Sequence, residues 1–396
     1  MQGLDIIIFS VVTYIFIWLL CFKRTGINLG TLLFAFYTFV SIMCAYYASQ
    51  GFYTIIHFKL WPLLYYTFVV LIFISPFLKN RNFADKIIIK QSNRLFYFCD
   101  FYILISIIYI YLMYASILET LSSGGWIYKY VEMREDDVEI YHNLFEKIIF
   151  NCATYFKIPA LLIGFYLYAY KSEYKRKAIL LICPFACSFA YSMYMASRTN
   201  LFIIILLYGC VVFMFWKRFT PALKRIITIV ISIIATLVII LCIAITFSRF
   251  GDDDNSWLAN YFGGSYRIAH NTIGFTDRLG YGSNFFGDLF RFAGIKTVPY
   301  HCLIDDENGF HPMVAMRYTD FGFFGTIIYS IFISSFFNSL ISKKIIGLGA
   351  SALVLYYYQD LLMGALYDNT TAWTWTITIF VLYFLNIYLK NVSVQK

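Results

Sequence analysis

Arginine is concentrated in one long polar stretch of the chain, from residue 248 to residue 317. Against a single lysine, Lys296, the stretch contains five arginines: Arg249, Arg267, Arg278, Arg291 and Arg317. A guanidinium group grips a phosphate through two parallel hydrogen bonds, whereas the ammonium group of lysine acts as a point charge. The excess of arginine therefore favours a binding site for an anionic, phosphorylated ligand. An alternative stays open, because the acids of the same stretch are also suitable partners for these arginines.

Arg198 is a sixth candidate for that site. It lies in the short polar sequence Ser197-Arg198-Thr199-Asn200 between two long apolar runs. A charge at the edge of a membrane-embedded run is costly and usually has a functional partner. The alternative is that the side chain reaches up to lipid headgroups, but that role does not require the adjacent serine and threonine. We predict that these six arginines together neutralise a pyrophosphate.

Two histidines of the polar stretch, His270 and His301, are candidates for proton transfer. Histidine titrates near neutral pH, so its imidazole either accepts a proton from a substrate hydroxyl or donates a hydrogen bond to it. The alternative is a structural role, which is common for a lone histidine in a loop.

A short motif, DFGFFG at residues 320–325, begins the apolar run that follows the polar stretch. Asp320 lies three residues after Arg317, a spacing that predicts a pair on one helix face. The glycines Gly322 and Gly325 permit close helix packing. The motif therefore predicts structural roles for its aspartate and glycines, with a catalytic role for the aspartate left open.

The composition indicates which elements must position these residues. Of the 396 residues, 61% are hydrophobic and 13% are charged, whereas a soluble domain is about 25% charged. We therefore predict an all-α polytopic membrane protein, in which residues 1–396 form a single integral membrane domain. Residues 248–317 are expected to form an extracytoplasmic loop that carries short amphipathic helices and folds back onto the membrane surface.

Eleven apolar runs are long enough to cross the hydrocarbon core, which is about 30 Å thick. They cover residues 5–22, 28–48, 61–78, 95–118, 150–170, 178–196, 200–216, 226–247, 318–341, 345–364 and 371–389. Lysine and arginine are most frequent in alternate loops between these runs, which the positive-inside rule assigns to the cytoplasm. The N-terminus is then expected outside, the C-terminus in the cytoplasm, and all five histidines outside.

Several function classes lack their sequence signals in this chain. It has no zinc-ligand spacing, no Walker loop, no Ser-His-Asp order and no dinucleotide fingerprint. An acidic metal-binding motif near the first span is also absent, so we expect chemistry that uses no metal and no other cofactor. The net charge of +9 resides mostly in short loops, where basic residues act as topology signals, and no nucleic-acid partner is predicted. The nine cysteines lie almost entirely in apolar runs and predict no disulfide framework.

Four features of the sequence together resemble a known family. They are the turn at residues 197–199 (SRT), the long outer segment after the eighth span, residues 261–265 (YFGGS) and residues 317–325 (RYTDFGFFG). With this topology they resemble the bacterial oligosaccharide repeat-unit polymerases, the Wzy-type O-antigen and capsule polymerases. The likeness covers the whole chain by topology, and YxDFGxxG is its most distinctive sequence. The preceding residues 308–312 (NGFHP) depart from the family's pattern.

The resemblance implies a reaction at the outer face of a bacterial cytoplasmic (inner) membrane. A growing glycan on undecaprenyl pyrophosphate is transferred to a new lipid-linked repeat unit, and undecaprenyl pyrophosphate is released. The expected partners are these lipid-linked donor and acceptor oligosaccharides and membrane lipids, and the resemblance also allows a chain-length regulator. The arginines would hold the leaving pyrophosphate, and His270, Asp277 or His301 would act as the general base for the acceptor hydroxyl.

Three other functions stay open. An O-antigen ligase, which moves the glycan onto a lipid A core, would show the same topology and the same arginines. A transporter or flippase of lipid-linked glycans belongs to a different class and needs charges along several span interiors. Here most charges cluster at the outer ends of the predicted spans, and Asp360 is an acid that lies within one, so the distribution of charge favours an enzyme. A non-catalytic scaffold in a polysaccharide-export complex is also compatible with the sequence.

Overall fold

The computed structural model of the protein describes residues 2–51, 59–80, 83–122, 143–195, 199–250, 257–304, 311–368 and 371–390. Within these ranges most of the chain is helical. The helices are α1 (Gln2–Thr25), α2 (Leu29–Ser49), α3 (Leu60–Lys79), α4 (Asn93–Leu121), α5 (Leu144–Tyr155), α6 (Lys157–Ala169), α7 (Lys177–Tyr194), α8 (Thr199–Phe215), α9 (Pro221–Phe250), α10 (Trp257–Phe275), α11 (Gly287–Phe292), α12 (Met313–Ile341), α13 (Leu348–Gly364) and α14 (Ala372–Lys390). Strands β1 (Thr276–Arg278) and β2 (His301–Cys302) form a small sheet, and Phe83–Lys86 and Trp216–Arg218 form single 3-10 turns.

Nine of the described helices are long and apolar enough to cross a membrane, namely α1, α2, α3, α4, α7, α8, α9, α12 and α14. The pair α5 and α6, bent by 44°, passes the same test as one span, which gives up to ten. Helix α13, in the predicted run 345–364, has 17 residues and a length of only about 25 Å. The predicted helical architecture with several membrane-spanning helices is confirmed. The count of eleven spans and the sides of the membrane stay predictions.

The bend between α5 and α6 has a local cause. Pro159 is the third residue of α6. Its ring removes one backbone donor and clashes with the carbonyl four residues earlier. That carbonyl belongs to Tyr155, the last residue of α5, so the helix breaks at Phe156 between them.

The chain divides into two compact units. Unit 1 comprises Met1–Lys86, Asn255–Ile346 and Tyr356–Phe380, and unit 2 comprises Ile87–Asp254, Gly347–Leu355 and Val381–Lys396. Every predicted site residue whose side chain is described belongs to unit 1. The side chain of Arg249 and the whole of Arg198 lie outside the described part of the chain.

Helix α10 lies inside unit 1, where it packs against α2, α3 and α12. Its contact with α2 is close, because a Cβ atom on Gly263 would lie 2.5 Å from the backbone nitrogen of Cys44. Most residues from 262 to 273 are buried. This differs from the predicted loop on the membrane surface. The absence of a side chain at Gly263 lets the backbones of α10 and α2 approach each other.

A cluster of tyrosines surrounds α10 in the interior of unit 1. Tyr266 packs edge-on against Tyr14 and Tyr66, with ring centroids 5.9 and 5.6 Å away. All three rings are buried, and the Tyr266 hydroxyl forms a hydrogen bond with the hydroxyl of Ser10. Aromatic packing of this kind fixes α10 relative to α1 and α3.

Unit 2 has an apolar core where α4, α5 and α7 meet. The buried members of this core are Ile105, Tyr109, Met113, Ile149, Ala153, Cys187, Ala190 and Tyr194. A surface ion pair joins Arg176 to Asp100, with an N–O distance of 3.0 Å and side chains 61% and 40% exposed. The Tyr174 hydroxyl donates to the same carboxylate at 2.6 Å. None of the residues of this core or this pair was predicted to carry chemistry.

Candidate functional site

Helix α12 is broken at Gly322, within the motif that marks its start in the sequence. Gly322 has φ 67° and ψ −170°, a left-handed conformation that glycine adopts without strain. A residue at these angles interrupts the helical hydrogen bonds that span it. The carbonyls of Thr319 and Asp320 accept instead from the amides of Gly280 and Gly282, at 2.8 and 3.2 Å. The break therefore ties the turn after β1 to the helix.

The carboxylate of Asp320 holds a second loop segment against α12. One oxygen accepts hydrogen bonds from the backbone and side-chain nitrogens of Asn284, at 2.9 and 3.0 Å, and the other accepts from the backbone of Phe285 at 2.8 Å. Asp320 is 1% exposed. Gly325 leaves room for Phe321, whose Cβ atom would lie 2.8 Å from an added Cβ. The motif therefore has structural contacts, but not the predicted ones. Asp320 binds Asn284 and Phe285 in place of Arg317, and the two glycines allow a break in α12 and a close contact with Phe321 of the same helix.

Arg317 and Asp368 form an ion pair in the interior of unit 1. Their side chains are 2% and 5% exposed, and Arg317 Nη2 lies 2.8 Å from Asp368 Oδ2. The guanidinium carbon lies 4.3 Å from the ring centroid of Phe285, a cation–π arrangement. The backbone amide of Asp368 donates to the carbonyl of His311 at 2.7 Å. This geometry favours the alternative that the sequence left open, in which an arginine pairs with an acid of the protein.

The small sheet carries a second, more exposed pair. His301 Nδ1 lies 2.7 Å from Asp277 Oδ1, and the two side chains are 55% and 44% exposed. Thr276 pairs with Cys302, and Arg278 pairs with His301. Asp277 is therefore the extra residue of a β-bulge, a feature that re-aims a side chain.

The exposed pair has the electrostatics of a proton-transfer site. The hydrogen bond from His301 lowers the pKa of the Asp277 carboxyl below its usual value, so the carboxylate stays charged. An imidazole that donates from Nδ1 keeps Nε2 as an acceptor. Among the residues that the structure describes, no hydrogen bond to Nε2 of His301 is present. That nitrogen is therefore suited to accept a proton from a bound hydroxyl.

His270, the other candidate histidine, is buried and bonded at both ring nitrogens. Its Nε2 accepts from the backbone amide of Lys59 at 2.8 Å, and its Nδ1 lies 2.9 Å from Asn271 Oδ1. Because Nε2 accepts a hydrogen bond in the contact with Lys59, the proton of the neutral imidazole is on Nδ1. This arrangement connects α10 to the start of α3 and favours the structural alternative for His270.

The remaining predicted arginines differ in their surroundings. Arg278 is exposed on β1 next to Asp277, and Arg267 is half-buried on α10, the helix that continues directly into β1. Arg291 is 76% exposed and pairs with Asp288 at 2.6 Å. The structure thus brings Asp277, Arg278 and His301 together on one sheet.

Sequence reasoning missed Asp368 and Asn284, which hold the buried side of this region. Asp368 is an acid in the short polar break between two apolar runs, and that position was the available signal. Asn284 lies in a loop with no distinguishing pattern, and only the folded chain places it at Asp320.

Within the described ranges, no three His, Cys, Asp or Glu side chains are grouped so as to hold a metal ion. Comparisons of the chain with protein-family models, with curated proteins and with solved structures find no match.

Proposed function

We propose that the protein is a membrane glycosyltransferase that polymerises oligosaccharide repeat units carried on undecaprenyl pyrophosphate. The observation that carries the proposal is the half-exposed His301–Asp277 pair beside Arg278. A base, its orienting acid and a guanidinium group are the parts that transfer of a glycosyl group from a pyrophosphate requires. The pair belongs to a sheet that continues from α10, in a unit rich in membrane-spanning helices.

In the proposed reaction His301 activates the acceptor hydroxyl. Nε2 takes the hydroxyl proton while the acceptor oxygen forms a bond to the anomeric carbon of the donor glycan. The bond from that carbon to the pyrophosphate oxygen breaks, and its electron pair leaves with undecaprenyl pyrophosphate. Asp277 keeps the imidazole in the correct tautomer and stabilises the imidazolium that forms.

Fixed guanidinium groups would stabilise the charge on the leaving pyrophosphate. Arg278 is the nearest in the chain to the pair, and Arg267 lies on the helix that precedes it. Arg291 and the two sequence candidates Arg198 and Arg249 would extend this set. Arg317 forms a buried ion pair with Asp368, so we give it a structural role and not a role in binding the pyrophosphate.

The proposal includes a location and partners. The sheet would face the outer side of a bacterial cytoplasmic membrane, with the N-terminus outside and the C-terminus in the cytoplasm, as the positive-inside rule predicts. The donor and the acceptor would both be undecaprenyl-pyrophosphate-linked oligosaccharides within the lipid bilayer. A chain-length regulator is a further partner compatible with this activity.

The direct test is to mix purified full-length protein with lipid-linked repeat units and separate the products by size. We expect a ladder of longer glycans that a metal chelator does not suppress. Asp277→Asn should lower the rate by about 100-fold, because the imidazole loses its orienting carboxylate. Asp100→Asn is the matched control, since Asp100 also forms an exposed ion pair but lies in unit 2. A wild-type protein that makes no ladder, or equal rates for the two variants, would contradict the proposal.

A further inference from the structure

A groove runs along unit 1 between α3 and the second half of α12. It has a volume of about 400 Å3 and is lined by Phe68, Leu71, Ile72, Ser75, Lys79, Ile331, Ser334, Ser335 and Asn338. Small-molecule sites commonly have volumes of about 300–1,000 Å3. On both helices the lining residues recur at intervals of three and four, so each helix contributes one continuous face.

The groove is separate from the candidate site. Its lining on α12 begins at Ile331, about 14 Å along the helix from the break at Gly322, and ends at Asn338, about 24 Å from it. The two helices are held together beside the groove by the Ser334 hydroxyl, which donates to the carbonyl of Ile72 at 2.7 Å. A ligand here would therefore act separately from the proposed glycosyl transfer.

The lining changes from apolar to polar along the groove. Phe68 and Ile331, each 51% exposed, form the apolar end, and Lys79 and Asn338 form the polar end. The distance from Phe68 to Lys79 along α3 is about 16 Å. The groove thus matches the polarity of an amphiphilic ligand that carries its charge at one end.

The polar end presents hydrogen-bond donors and a positive charge. The side-chain oxygen of Asn338 accepts from Asn80 at 3.1 Å, which leaves the amide N–H2 group of Asn338 as a donor. Lys79 is exposed, and its ammonium group forms no ion pair with any residue that the structure describes. Donors combined with an ammonium group favour an anion over a zwitterion or a neutral group.

We propose that this groove binds an anionic glycerophospholipid. The lipid phosphate contacts Lys79 and Asn338, and one acyl chain lies along Phe68, Leu71 and Ile331. Both walls belong to helices that are apolar enough to cross a membrane, so the open side of the groove faces hydrocarbon. Lys79 is followed by four further basic residues up to residue 94, which places it at the level of the lipid headgroups.

The test compares phosphatidylglycerol with phosphatidylcholine of the same acyl chains. Each lipid is titrated into the purified full-length protein in an uncharged detergent, and the melting temperature gives an apparent Kd. We expect phosphatidylglycerol alone to raise the melting temperature. Lys79→Gln should weaken its binding by about fivefold, the effect of one basic residue at a membrane surface. Lys23→Gln is the matched control, because Lys23 is also exposed at a helix end but does not line the groove.

A second variant tests the apolar part of the site. Ser335→Leu should fill the groove and abolish the selective effect of phosphatidylglycerol, whereas Ser339→Leu, at an exposed position outside the lining, should preserve it. Equal effects of the two lipids on the wild-type protein would overturn the proposal. Wild-type affinity in both Lys79→Gln and Ser335→Leu would also overturn it. Loss of a dimer in Ser335→Leu with unchanged lipid affinity would assign the groove to a second copy of the chain.

Discussion

Two acid–base pairs of unit 1 are built in opposite ways. The Arg317–Asp368 pair is almost completely shielded from solvent, lies against the ring of Phe285 and is fixed through a backbone amide. The His301–Asp277 pair is about half-exposed and joins the two-residue strand β2 to the bulged residue of β1. A shielded pair with its partners fixed holds the fold together, whereas a half-exposed imidazole with an available nitrogen can exchange a proton with a ligand. The difference separates the supporting part of the candidate site from the reactive part.

Removing the charge of Arg317 should have the largest effect on stability. Arg317→Met leaves the Asp368 carboxylate buried without its cation, and a broken buried pair costs about 3–5 kcal/mol of unfolding free energy. Chemical unfolding in detergent measures the loss. The double variant Arg317→Met/Asp368→Leu removes both charges and should recover more than half of it. A single variant as stable as the wild type would contradict the supporting role of this pair.

Asp320 should have the next largest effect. Asp320→Ala leaves the buried backbone amide of Phe285 and the half-buried amide of Asn284 without an acceptor, which costs about 1–3 kcal/mol. Asp320→Asn keeps one side-chain oxygen and should lose less. The same unfolding experiment ranks the two variants. Equal stability of both variants and the wild type would show that the loop at residues 284–285 is held by other contacts.

Gly322 connects the two regions, because its break in α12 lets the helix bind the turn that follows β1. Gly322→Ala should lose about 1–2 kcal/mol, since a Cβ at positive φ is strained, and it would also meet Leu279 at 3.0 Å. Gly209→Ala is the control, because a Cβ there meets nothing within 4 Å and alanine favours a helix over glycine by about 0.5–1 kcal/mol. If Gly209→Ala lowered the unfolding free energy and Gly322→Ala left it unchanged, the result would contradict this prediction.

The exposed pair should have a small effect on stability that depends on pH. Because His301 lowers the pKa of the Asp277 carboxyl, the pair stabilises the folded protein above the ordinary carboxyl pKa of about 3.9. The contribution is lost as the pH falls through the lowered pKa of the folded state. Melting temperatures of the wild type and Asp277→Asn should therefore differ at neutral pH and converge in acid. A difference in melting temperature between the two proteins that grows towards acid pH would contradict this prediction.

The sequence predicted most of the architecture, because long apolar runs with few charges are themselves the membrane-spanning helices. It also nominated both members of the exposed pair. It did not predict their pairing, which depends on two short strands more than twenty residues apart and on a bulge at Asp277. Asp368 escaped prediction for a similar reason, since its contact with Arg317 joins segments that only tertiary folding brings together. The interior position of α10 was hidden by its polar residues, which the fold pairs inside unit 1, as at His270.

The most direct test of the reactive role of the exposed pair is the polymerisation rate of purified His301→Gln, measured together with its melting temperature. Removing a general base lowers the rate by about 10²–10⁴-fold, and an exposed substitution changes stability by no more than about 0.5 kcal/mol. We therefore expect a large loss of ladder formation with only a small change in melting temperature, the size of the pair's own contribution to stability. A variant that extends glycans at the wild-type rate, or that loses activity only in proportion to unfolding, would contradict this assignment.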